Sequence, residues 1–80
     1  MGIPDRILRM LEEKKRSGCP VKPQSELYKD LSFDSLSFIA LLLEIEEIYS
    51  IVFEIAEMEK CLRVVGLIAA TERKVREKAP

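Results

Sequence analysis

One run in this 80-residue chain, Ile51-Val52-Phe53, reads as a β-strand, and no second strand-like run exists for it to pair with. Sheet architectures are therefore set aside, and the run is expected to be a connector. The remaining apolar residues recur at helical spacing. Ile3, Ile7, Leu8 and Leu11 mark a first helix from Pro4 to Arg16, with Pro4 near the first turn and Asp5 favouring the positive helix end. Ser17 to Pro23 then breaks it, because Gly18 permits a turn and Pro20 and Pro23 cannot continue a helix. A loop extends to Asp34, long for so small a domain, with Leu27, Tyr28, Leu31 and Phe33 available to pin it. Leu36, Ile39, Leu42, Leu43 and Ile45 or Glu46 carry a long helix from Ser35 to Tyr49. Ala56 to Cys61 suits a short helix, and Val64, Leu67, Ile68, Thr71 and Val75 supply one face of a last one. The expected fold class is all-α, a small four-helix bundle of three longer helices and one short one. Gly66 lowers helix propensity by about 1 kcal/mol relative to Ala, and either close approach of a neighbouring helix or chance accounts for it.

Eighty residues suit one domain, 1–80. The longest apolar run, Phe38 to Leu43, falls far short of the roughly 18 residues of a membrane span. The amino-terminal residues lack the basic and apolar regions of a secretory signal, so the chain is expected to be cytoplasmic. Cys19 and Cys61 are too few for a disulfide scaffold and lack zinc-type spacing, so both are expected as free thiols. Histidine is absent, which removes the commonest general base and metal ligand. No catalytic residues and no metal site are expected. A binding or carrier role is favoured over an enzyme.

The net charge of −1 conceals a pattern. Residues 1–25 hold six bases and three acids, residues 26–60 nine acids and two bases, and residues 61–80 five bases and two acids. The acidic middle would repel nucleic acid and attract a basic protein patch; it could equally be a set of solvated helix faces. It would also repel its own copy, so a monomer is expected.

The stretch from Phe38 to Leu43 is apolar around most of the helix circumference, so some side chains should face a partner or lie under the loop. Asp34, Ser35 and Leu36 stand where the loop enters this helix. Taken alone they form an ordinary helix start, Asp being a favoured N-cap.

In context, Leu31-Ser32-Phe33-Asp34-Ser35-Leu36 resembles the Leu-Gly-x-Asp-Ser-Leu motif of the acyl carrier protein family. Leu43, Ile45, Glu46, Glu47, Tyr49, Phe53, Val64 and Ile68 continue the likeness over most of the chain. The sequence departs from the family at Ser32, where Gly is usual, and at Ser37 and Ala40, which often are Asp and Glu. The resemblance implies that Ser35 receives 4′-phosphopantetheine from coenzyme A, with Asp34 its motif neighbour. It also implies a phosphopantetheinyl transferase as one partner, and acyl-loading and acyl-processing enzymes with basic docking patches as others. Leu36 and Leu43 then resemble exposed recognition positions, with Glu44, Glu46 and Glu47 supplying charge. Free amides and the helix dipole at this position favour an attached anion.

The resemblance leaves the cargo open among fatty acid, polyketide and related specialised acyl groups, and a peptidyl or aminoacyl carrier shares the same logic. An unmodified helical interaction module is the reading from a different class. An acyl chain, if sheltered, would lie among Ile39, Leu42, Phe53, Met58, Cys61, Leu62 and Ile68, whose default role is core.

Overall fold

The computed structural model describes residues 2–78. Residues 1, 79 and 80 of the expected domain lie outside the described residues. Helix α1 spans Ile3–Lys14, α2 Ser35–Tyr49, α3 Ile55–Met58 and α4 Val64–Lys78, and a 3₁₀ turn, Glu59–Leu62, joins the last two. The all-helical class and the order of three longer helices and one short one stand as expected. No helix among the described residues is long and apolar enough to cross a membrane.

Helix α1 buries Ile7, Met10 and Leu11, with Ile3 and Leu8 packed at the margin. It stops at Lys14, two residues before the expected end. Lys15 is extended, and the Arg16 amide donates to the Leu31 carbonyl at 3.1 Å instead of continuing the helix. A tertiary hydrogen bond thus replaces a helical one. Gly18 is not needed for its conformational freedom, since no glycine among the described residues has positive φ.

Helix α2 has the expected bounds but only part of the packing face that its spacing suggested, Leu42 and Ile45. Phe38, Leu41, Leu42 and Ile45, at i, i+3, i+4 and i+7, are buried, whereas Leu36, Ile39 and Leu43 are 83%, 41% and 58% exposed. The helix is apolar nearly all round, so periodicity alone could not select the stripe. The following Ile51-Val52-Phe53 is a connector as expected. Ile51 and Phe53 turn into the core, and the Phe53 amide donates to Glu46 Oε2 at 2.7 Å rather than to a neighbouring strand.

The loop between α1 and α2 is pinned by buried Leu27, Leu31 and Phe33; Tyr28 stays partly exposed, its ring edge-on to Phe38 at 5.6 Å. The loop also fastens α4. Helix starts leave backbone donors that no intrahelical carbonyl can reach. Here the amides of Val64 and Val65 donate to Ser25 O and Pro23 O, at 3.0 and 2.9 Å, while the Leu27 amide donates to Leu62 O at 2.9 Å. Glu26 and Arg63 form the one antiparallel bridge among the described residues.

Gly66 marks a close approach. A Cβ built there would lie 1.9 Å from the carbonyl oxygen of Lys60. The 3₁₀ turn therefore packs directly against the α4 backbone. On α4 itself Val64, Leu67, Ala70 and Thr71 are buried, Ile68 and Val75 are partly so, and the Thr71 hydroxyl donates to Leu67 O.

Candidate functional site at the start of α2

The site is built outward from two buried anchors. Leu31 and Phe33 both enter the core, and Ser32 between them takes the left-handed conformation, φ 58°. This region favours glycine because an L side chain crowds the following carbonyl. Ser32 thus adopts the backbone shape that its position requires while lacking the residue best suited to it.

Asp34 follows in extended conformation and caps α2. Its Oδ1 accepts from the Ser37 amide at 2.8 Å, and Ser37 Oγ accepts from the Asp34 amide at 2.9 Å. Each residue satisfies a donor that the helix start would leave open, the reciprocal arrangement of a capping box with serine at the returning position. Arg16 Nη1 donates to Asp34 Oδ2 at 3.2 Å from the far end of the loop. The Ser37 amide, then its hydroxyl, then Arg16 hold the Asp34 carboxyl below its ordinary value.

With the cap handled by its neighbours, Ser35 is left free. It is exposed in the first turn of α2, and its hydroxyl makes no hydrogen bond among the described residues. Leu36 beside it projects into solvent. A helical wheel puts Leu36, Leu43 and Glu47 within about 40° of arc, so they share one outward face. Such a position admits an enzyme to the serine oxygen and an anion to the helix start, so the residues present fit a phosphodiester-linked group.

The expected charged positions do not behave alike. Glu44 is paired with Lys14 Nζ at 2.8 Å, Glu46 is turned inward to the Phe53 amide, and Glu47 is exposed with no ion pair among the described residues. Of the residues considered for sheltering a chain, Leu42, Phe53 and Cys61 are buried, Met58 and Ile68 partly buried, and Ile39 and Leu62 exposed. Both cysteines are free: Cys19 is exposed, whereas burial first, then Glu57, pushes the Cys61 thiol up to about 11.

Sequence reasoning missed the roles of Ser37 and Arg16 and the inward turn of Glu46. Ser37 was visible in principle through the Asp-x-x-Ser spacing of a capping box. Arg16 had no such signal, being 18 residues from Asp34. Glu46 resembled its exposed acidic neighbours, and only the path of the connector turns it inward.

A family model described as the phosphopantetheine attachment site matches residues 5–71, taking in most of α1, all of α2 and α3 and the first half of α4. No curated protein matches the chain.

Proposed function

The chain belongs to the phosphopantetheine attachment site family, and from that premise we propose that it is an acyl carrier protein bearing the prosthetic group on Ser35. The family's group is 4′-phosphopantetheine, and the chain is a phosphopantetheine carrier. The group supplies a terminal thiol on which acyl groups are held as thioesters. The chain's own residues present one hydroxyl and keep it accessible. Asp34 and Ser37 close the helix start, Leu31 and Phe33 anchor the approach, and Ser35 stands between them without a competing hydrogen bond.

Attachment joins Ser35 Oγ to the phosphorus of the pantetheine phosphate in coenzyme A. The pyrophosphate P–O bond breaks, adenosine 3′,5′-bisphosphate leaves, and the serine proton passes to a base of the transferase. This chain needs to provide no base, consistent with a carrier that is not itself a catalyst. Leu36 and Leu43 offer apolar contacts to partner enzymes, and Glu47 with Glu44 offers charge to a basic patch. One oxygen of Glu46 is committed to the connector, which makes it the most structural of the three glutamates. The lack of acidic residues in the first two turns of α2, where Ser37 and Ala40 stand, favours a carrier dedicated to one specialised pathway. Its loading enzyme decides between acyl and aminoacyl cargo.

The single observation that carries this reading is the exposed, unbonded Ser35 hydroxyl immediately after the capped Asp34. Its test is the intact mass after incubation with coenzyme A, magnesium and a broad-specificity phosphopantetheinyl transferase. One phosphopantetheine is expected on the wild type and none on Ser35→Ala. No gain on folded protein with several transferases would leave an unmodified helical docking module in its place.

A further inference from the structure

Three cations leave the end of α1 in succession, and only one is directed at the α2 start. Lys14 pairs with Glu44, and Lys15 with Glu12 and the Cys19 carbonyl, whereas Arg16 reaches Asp34. Its place is fixed by more than that ion pair. The Arg16 amide is bonded to Leu31 O, and the next residue, Ser17, donates its hydroxyl to Asp30 O at 2.6 Å. The exit of α1 is thereby stapled to the residues that lead into Asp34 and Ser35. The Asp34 contact engages one terminal nitrogen of the guanidinium, and its other N–H groups make no hydrogen bond among the described residues.

Modification of Ser35 would set a phosphodiester anion beside the Asp34 carboxylate, which is held charged. Two adjacent anions repel, and a planar guanidinium can donate to both at once, as a point-charge ammonium cannot do with the same geometry. We propose that Arg16 is an arm-holding residue, its guanidinium spanning the Asp34 carboxylate and the phosphodiester on Ser35. The inference rests on the reading of Ser35 as the attachment position. Arg16 thereby limits the directions in which the arm leaves the protein, and it offsets the charge that modification adds.

The test uses wild type, Arg16→Ala and Arg16→Lys, each prepared apo and holo and verified by intact mass. Two quantities are read on each: the ³¹P resonance of the diester, and the melting temperature of holo minus that of apo. In the wild type, modification is expected to raise the melting temperature by ~3 °C, the scale of one exposed charge-assisted contact in a domain this size. Arg16→Ala is expected to lose at least half of that gain and to shift the ³¹P resonance, with Arg16→Lys intermediate. If Arg16 serves only Asp34, apo and holo melting temperatures fall together and the resonance stays put, which overturns the inference while leaving Ser35 as the attachment position. Absence of a mass gain on the wild type overturns both.

Discussion

The starts of α2 and α3 use related local devices to opposite ends. At α2, Asp34 and Ser37 close the cap with two short side chains, and Arg16 reaches in from an exposed loop. At α3, Glu57 reaches back to the Glu54 amide at 2.8 Å, and its carboxylate is held by Lys74 at 2.7 Å and by Arg73. The Glu57 side chain is only 12% exposed. Lys74 first, then the Glu54 amide, and less strongly Arg73, hold its carboxyl below the ordinary value. Small capping residues leave the outward face of the first turn bare, which is where Ser35 and Leu36 stand. A long acidic side chain met by cations from α4 instead fastens a four-residue helix too short to persist alone. The molecule thus keeps its exposed turn in order with local bonds and its short helix in order with tertiary ones.

The fastened end should respond most severely to substitution. Gly66→Ala places a methyl group against the Lys60 carbonyl, and even after the gain in helix propensity a loss of about 2 kcal/mol is expected in urea unfolding. Where that variant is folded, it should still accept phosphopantetheine on Ser35. Glu57→Gln comes next, with a loss of about 1 kcal/mol at neutral pH for a partly exposed pair of ion pairs. It also carries a pH signature. Because the Glu57 carboxyl is lowered in the folded protein, its contribution is fully present above its unfolded value, near ~4, and is lost as pH falls through the lower folded value. Glu57→Gln should therefore flatten the acid limb of a stability–pH curve. Asp34, lowered in the same direction, leaves a smaller residual slope.

The exposed end should respond more gently. Ser32→Gly relieves a left-handed serine but frees the unfolded chain, so a net stabilisation of about 0.5 kcal/mol is expected by urea unfolding. A loss of stability would show that the serine side chain has a role beyond filling the turn. Ser35→Ala is expected to change stability by less than ~0.5 kcal/mol, since its hydroxyl bonds to none of the described residues, while abolishing the mass gain. A large stability change there would erase the distinction drawn between the two helix starts.

The two regions also differ in how far they could be read from residues alone. Asp34-Ser35-Leu36 and the bounds of α2 were legible because caps and turn residues are local signals. Gly66 was legible as an anomaly, since a glycine inside a helix needs a reason, and the Lys60 carbonyl supplies it. The clamp on Glu57 was not, because Arg73 and Lys74 lie a helix away in sequence and glutamates of that pattern are usually solvated. Nor was the buried stripe of α2, whose apolar residues outnumber the positions that one core can cover. Phe38, Leu41, Leu42 and Ile45 go inward because the loop and the other helices lie there, a fact of tertiary arrangement.

The carbonyls of Pro23 and Ser25 find their donors in Val65 and Val64, close to forty residues further along the chain. Contacts of that span are expensive in loop-closure entropy and form late. A polypeptide growing on the ribosome has the loop long before it has α4, and until α4 is made those carbonyls accept only from water. The first part of the loop, residues 23–25, therefore takes up its native bonds only after α4 has been synthesised, whereas Asp30 and Leu31, bonded to the exit of α1, do not wait for it. In the order of events, a transferase that requires the whole loop in its native shape would meet it only after translation has passed α4.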